Sequence, residues 1–222
     1  MLMEGYWRSH FAQVLLSADL LTPDGMPLVW MASWMKRCTQ DRVAGMELMQ
    51  ALCQRAQSAG VSVFLLGSTP EMLSKIQQQL SRDFPKLKVS GMLSPPFRSL
   101  SAEEDEAIAH AISKSEAGLV FVSLGCPKQE LWMHEHRDQI SAVMVGLGGA
   151  FSVYAGVKQW APEWVRSVGL EWLYRLMQEP GRLWKRYAVT IPPFLWLAFK
   201  QVVKVRLGLD PARSLRQWVR NP

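Results

Sequence analysis

A chain of 222 residues, 49% hydrophobic and 20% charged, is long enough for one globular domain with an appendage, and its lack of any low-complexity tract excludes global disorder. Three cysteines, Cys38, Cys53 and Cys126, show no CxxC spacing, which excludes a disulfide framework, argues against a zinc site and fits a reducing cytoplasm. The net charge of +6 is uneven: residues 157–222 hold 12 Lys/Arg against 4 Asp/Glu and six of the ten tryptophans, while the remainder holds 13 against 15.

The opening residues, MLMEGYWRSH, lack an apolar signal-peptide core. Residues 10–18 read as a short helix, and Leu20–Thr22 as a brief apolar piece that could end a strand. Pro23-Asp24-Gly25 is a turn signal. Helices follow over 28–36 and 46–59, the second stopped by Gly60. Val61–Leu66 is a buried-strand run, and Gly67-Ser68-Thr69-Pro70-Glu71 opens a helix to about Arg82. Here Ser68 is the expected cap and Glu71 its S-x-x-E partner. A short strand over 87–91 precedes a two-proline loop at 94–100. Ser101 and Glu104 form a second capping box, opening a helix to about Ser115.

Residues 119–124 and 142–147 are two further buried strands, separated by a helix over 128–137. His134 and His136 stand two apart, which does not point both to one side of a helix, so no metal site is expected. Strands alternating with helices predict an α/β fold: a mostly parallel, Rossmann-like sheet with helices on both faces. Ligands of such sheets bind at the carboxyl ends of the strands, where Gly67-Ser68, Gly125-Cys126-Pro127 and Gly148-Gly149 all fall.

The expected domains are a catalytic body over 1–160 and a helical appendage over 161–222. In the appendage a helix over 170–178 is interrupted by Pro180, then again by Pro192 and Pro193 before resuming over 194–207. Its longest uncharged stretch, 187–199, has 13 residues, against about 20 needed to span a bilayer. The tail therefore reads as lying on a membrane or packing on the body, and its charge suits an anionic membrane surface. Nucleic acid competes as an explanation of that charge, but no recognition motif is present and it is not an expected partner.

Each candidate motif has a bland reading beside the functional one. GLGGAF (146–151) lacks dinucleotide-fingerprint spacing, and GSTPEM lacks a P-loop lysine. Turns of this kind present backbone N–H groups to a diphosphate, or are tight turns with no ligand; spacing leaves both open. Asp24 is a turn residue, or a general base if it faces an acceptor hydroxyl. Lys128, Gln129 and Glu130 are a polar first turn, or a set suited to sugar hydroxyls and phosphate. Arg175 and Arg182 stand seven apart, near two helical turns, with Lys185 and Arg186 extending the basic side. They are solvated, or fork onto a diphosphate.

Several segments together carry a family resemblance: SADLLTPDGMPLVW (17–30), DRVAGMELMQAL (41–52), VFLLGSTPEM (63–72), VSLGCPKQELWM (122–133), VGLGGAFSVYAG (145–156), Ala161-Pro162 and GLEWLYRLMQEPGRLWKRY (169–187). The chain resembles the WecG/TagA/CpsF family of glycosyltransferases over about residues 11–200. The resemblance implies inverting, metal-independent transfer of N-acetylmannosamine, its uronic acid or glucose. The donor would be a UDP-sugar and the acceptor a polyprenyl-diphosphate-linked saccharide, in bacterial surface or extracellular polysaccharide synthesis. No cofactor is implied.

The resemblance further makes Asp24 the base and places Arg42, Gln129, Arg175, Arg182 and Lys185 or Arg186 in the binding machinery. Gly67, Ser68, Lys128, Glu130, Gly148 and Gly149 complete the expected site. The expected location is cytoplasmic, peripheral on the inner face of the cytoplasmic membrane, and a homo-oligomer stays open. Three departures stand out. Only 16 residues precede Ser17, so the family's N-terminal strand and T-x-N motif are expected to be missing. Ser152 stands where the family often has Asp, and Gln159-Trp160-Ala161-Pro162 lacks an Arg. A second reading follows from these: a degenerate, non-catalytic subunit docked on the membrane inside a polysaccharide assembly complex.

Overall fold

A computed structural model describes residues 1–36 and 39–207. Cys38 and the part of the expected appendage beyond Leu207 lie outside the described residues.

Two short helices lead the chain, α1 (Leu2–Trp7) and α2 (Ser9–Leu16). The strand end expected at Leu20–Thr22 does not form; these residues join no ladder, and Leu20 is 79% exposed. Apolar content alone suggested it, but a strand needs a neighbour for its backbone. Helix α3 (Met26–Lys36) and helix α4 (Gly45–Ala59) follow, and Gly60 ends α4 in the left-handed conformation.

The sheet comes next: β1 (Val63–Gly67), α5 (Pro70–Asp83), β2 (Val89–Leu93), α6 (Ala102–Lys114), β3 (Leu119–Ser123), α7 (Lys128–Glu135), β4 (Val143–Gly146) and α8 (Ala150–Tyr154). All pairings are parallel, in the order β2-β1-β3-β4. Every residue of β1 is buried, which explains its unbroken apolar run. Its side chains alternate between two cores. Val63 and Leu65 join Phe121 and the inner faces of α4, α5 and α8. Phe64 and Leu66 join Val120, Val122 and the inner faces of α6 and α7. Helices thus cover both faces, as the alternating pattern predicts.

The chain leaves β1 for β2 on one side and returns to β3 on the other. The strand order therefore reverses between β1 and β3, the place where sheets of this class hold ligands.

Two local expectations need correction. Thr69, not Ser68, caps α5: its hydroxyl accepts from the Met72 backbone N–H. An N-cap needs extended backbone, which Thr69 has at φ −103°, whereas Ser68 sits at φ +65°. The other correction lies in the tail: α9 (Glu163–Ser167), α10 (Glu171–Gln178) and α11 (Pro180–Arg206). The chain breaks between α10 and α11 at Glu179, and Pro180 becomes the first residue of α11. Pro192 and Pro193 do not interrupt α11, which runs through them. Each removes a backbone hydrogen bond, but the helical lengths on both sides carry the element across.

The described residues group into two compact units: 1–22 with 43–160, and 23–36 and 39–42 with 161–207. The first holds the sheet. The second joins the Asp24 turn and α3 to the C-terminal helices.

Candidate functional site

In the sheet unit, the carboxyl ends of β1, β3 and β4 converge on glycines. Gly67 pairs in register with Ser123 across the reversal point. It adopts φ +109°, and an added Cβ would lie 2.4 Å from the Ser123 carbonyl oxygen, so only glycine fits. Ser123 in turn donates its hydroxyl to the Gly148 carbonyl at 2.8 Å. The amides of Leu147 and Gly148 both reach the Val122 carbonyl. The turn after β4 is thereby fastened to the end of β3.

Gln129 and Glu130 occupy the first turn of α7, and both are buried, at 5% and 7% exposure. The Gln129 amide donates from Nε2 to Glu130 Oε1 at 2.8 Å. A carboxylate only accepts, so this contact fixes which way the amide faces. It leaves Gln129 Oε1 and Glu130 Oε2 buried with no hydrogen-bond partner among the described residues. Two such orphaned acceptors cost about 1–3 kcal/mol each. Gly146 and Gly148 let the Gln129 amide pack against them: an added Cβ would meet Gln129 Nε2 at 3.0 Å or Gln129 Oε1 at 3.5 Å, respectively. Buried acceptors that lack donors suit a ligand that brings hydroxyl or amide donors.

Helix α7 is braced so that this pair cannot drift. Trp132 donates its indole N–H to Asp105 Oδ1 at 2.7 Å, and His136 Nε2 lies 3.3 Å from Asp105 Oδ2. The two rings stack with centroids 4.4 Å apart. On the helix's other flank, His134 Nδ1 meets the Ser17 hydroxyl at 2.8 Å. Because that hydroxyl already donates to the Val14 carbonyl, His134 is the donor to it.

Of the remaining sheet-unit candidates, Ser68 donates to Met72 Sδ at 2.8 Å and its carbonyl accepts from the Ser94 hydroxyl at 2.6 Å. Lys128 is exposed at the start of α7, and Gly149 precedes α8.

The second unit assembles its own set. Asp24, 62% exposed at its side chain, has Oδ1 4.0 Å from Arg42 Nη1. The same nitrogen donates to Glu171 Oε2 at 2.6 Å, and Arg42 is largely buried. One guanidinium thus stands between two carboxylates. Arg175 is half-buried, whereas Arg182, Lys185 and Arg186 are exposed. The break at Glu179 puts Arg175 and Arg182 on different helices, as the interruption expected at Pro180 implies. Arg182 instead pairs with Glu179.

Tyr187 gathers these charges. Its phenol is pushed above its ordinary pKa by burial, while nearby Arg175, Arg186 and Arg182 pull it down against the Glu171 carboxylate. The Tyr187 ring meets Trp172 edge-on with centroids 6.0 Å apart. Sequence reading passes over Ser123, Glu171 and Tyr187. The only available signals were a serine at a strand end, an acid in a first helical turn and an aromatic in a basic run. No three His, Cys, Asp or Glu side chains form a metal-binding group among the described residues.

Comparison with known proteins adds a family match: the model of the glycosyl transferase WecG/TagA/CpsF family covers residues 1–208. The chain is 32% identical to the N-acetylglucosaminyldiphosphoundecaprenol N-acetyl-beta-D-mannosaminyltransferase of Bacillus spizizenii, over 89% of this chain and 74% of the relative. It is 31% identical to the Bacillus subtilis protein of the same name, over 87% and 73%. A Staphylococcus aureus protein, again of that name, is 30% identical over 88% and 75%.

Proposed function

We infer that this chain, which belongs to the WecG/TagA/CpsF family of glycosyl transferases, moves a sugar from a UDP-linked donor onto a polyprenyl-diphosphate-linked saccharide at a membrane surface. The names of the three relatives make N-acetylmannosamine the first donor sugar to test, with its uronic acid and glucose behind it. They make N-acetylglucosamine on undecaprenyl diphosphate the first acceptor.

The observation that carries this reading is the buried Gln129–Glu130 pair, with its two orphaned acceptor oxygens beside Gly146 and Gly148. Sugar hydroxyls and an acetamido N–H are the donors such oxygens lack. Gly67, Ser68, Gly148 and Gly149 let a diphosphate approach backbone at the strand ends, and Lys128 offsets its charge.

The chemistry is a single inverting displacement. The acceptor hydroxyl attacks the anomeric carbon, the bond from that carbon to the diphosphate oxygen breaks, and UDP departs with the bonding pair. The hydroxyl proton passes to Asp24, whose exposed carboxylate is the base. Arg42 orients that carboxylate. Charge grows on the leaving diphosphate, and Arg175, Arg182, Lys185 and Arg186 stabilise it without a metal ion.

Peripheral membrane association rests on the appendage. Trp164, Trp184 and Trp196 are exposed at 70%, 63% and 57% among basic residues, while no helix of the described residues is long and apolar enough to cross a membrane. The inner face of the cytoplasmic membrane is the proposed site of action.

Asp24→Asn provides the test. It should lower kcat by about 100-fold or more while donor affinity holds, because only proton acceptance is removed. Transfer by the variant at the wild-type rate would remove Asp24 from the mechanism.

A further inference from the structure

Two carboxylates of the second unit meet one guanidinium nitrogen, and they do not share it equally. Arg42 Nη1 donates to Glu171 Oε2 at 2.6 Å and stands 4.0 Å from Asp24 Oδ1, past hydrogen-bond distance. The short contact joins two charged groups, which makes it the strong kind of hydrogen bond. The side chains of Arg42 and Glu171 are 12% and 23% exposed, against 62% for Asp24. Arg42 and Glu171 are therefore the sheltered pair, and Asp24 faces solvent at its edge.

Glu171 is held where it can take this bond. It lies in the first turn of α10, where the helix dipole favours an acid. The turn before α10 is set against α3. Gly169 takes φ +76°, and an added Cβ would lie 2.9 Å from Met26 Cβ and 3.0 Å from Trp30 Cη2. Met26 follows Asp24 by two residues. The start of α10 is thus anchored beside the Asp24 turn twice, by close packing at Gly169 and by the Arg42 bond at Glu171.

This unequal sharing has a chemical consequence. An aspartate clasped directly by an arginine is a poor proton acceptor, because the cation stabilises its charged form. Here Glu171 takes the direct bond, and its negative charge balances the guanidinium. Arg42 then orients Asp24 from 4.0 Å without quenching it. The surrounding charges make that balance matter. Arg175 follows Glu171 by four residues on α10, and Arg182 and Arg186 of α11 act with them on the Tyr187 phenol. Glu171 sets a negative charge against these cations.

We propose that Glu171 is a positioning residue for the transfer reaction: it holds the Arg42 guanidinium and balances its charge, so that Asp24 is oriented yet stays a working base. This rests on the reading of Asp24 as the base and extends the acid–base apparatus to a residue of the C-terminal helices.

The experiment follows single-turnover transfer against pH for wild type, Glu171→Gln and Glu171→Asp. UDP-N-acetylmannosamine and a short-chain polyprenyl-diphosphate N-acetylglucosamine are both saturating. Glutamine keeps the shape and an acceptor oxygen but loses the charge, whereas aspartate keeps the charge. With the charge gone, Arg42 acts on Asp24 unopposed. The acid limb of the Glu171→Gln profile should move to lower pH by about half a unit or more. Its plateau rate should fall by about 3-fold or more, with the half-saturating donor concentration within about 2-fold of wild type. Glu171→Asp should lie closer to wild type in both rate and profile. An unchanged profile in Glu171→Gln would overturn the proposal. So would a lower rate with the acid limb in its wild-type place, the mark of a merely structural role. A Glu171→Asp variant that fares worse than Glu171→Gln would overturn it too. Asp24→Asn, run alongside, separates the two claims: transfer by that variant at the wild-type rate would strike the base reading on which the proposal rests.

Discussion

Gly67 shows how tightly single residues are held at the carboxyl edge. Its φ of +109° and the 2.4 Å approach of the Ser123 carbonyl to any added Cβ leave no room for a side chain. Gly67→Ala should destabilise the protein by about 2 kcal/mol or more, read as a lower urea midpoint. A midpoint within error of wild type would contradict the geometry. Cys53 is a second case. Burial pushes its thiol up to about 12, so at neutral pH it is a neutral, unreactive thiol. Alkylation followed by peptide mapping should label Cys53 only after unfolding; rapid labelling of the native chain would be the contrary result. That Gln129 opens a polar first turn of helix was legible at this scale from the P-K-Q-E segment. Its pairing with Glu130 was not, because two neighbours on a helix do not face each other until packing buries that turn. Nor could sequence show that Arg42 bonds Glu171, a partner 129 residues away.

Among the elements, what is encoded locally read best. The Ser101–Glu104 capping box stands in the sequence as S-x-x-E and in the structure as reciprocal hydrogen bonds. The same pattern at Ser68–Glu71 misled, because it does not reveal that Ser68 takes a left-handed backbone conformation and hands the cap to Thr69. Pro192 and Pro193 also misled, since a proline's local cost is outweighed by helix on both sides. Glu104 gives this scale its pH dependence. The hydrogen bond from Arg98, then that from the Ser101 backbone, hold its carboxyl down at about 2. A pKa depressed by folding contributes stability that is complete above the ordinary carboxylate range and is lost as pH falls towards about 2. The melting-temperature difference between wild type and Glu104→Gln should therefore be steady near neutrality and shrink below about pH 4.5. A difference that grew on acidification would contradict the Arg98–Glu104–Ser101 bonding.

For the whole molecule, the alternation of strands and helices was enough to predict a parallel sheet covered on both faces. The order β2-β1-β3-β4 was not, since register and neighbours are long-range choices that several topologies satisfy. The charge asymmetry of the tail was plain from composition. That residues 23–42 group with the C-terminal helices was hidden, because sequence distance carries no trace of it. The most direct test of the central claim is a transfer assay with purified protein, a panel of UDP-sugars and a short-chain polyprenyl-diphosphate N-acetylglucosamine, with products read by mass spectrometry. The account expects one added sugar on the lipid-linked glycan, transfer that persists in a metal chelator, and at least about a 10-fold loss of kcat/KM in Gln129→Ala. A folded, vesicle-bound protein that adds no sugar from any UDP donor would contradict it and favour a non-catalytic docking subunit.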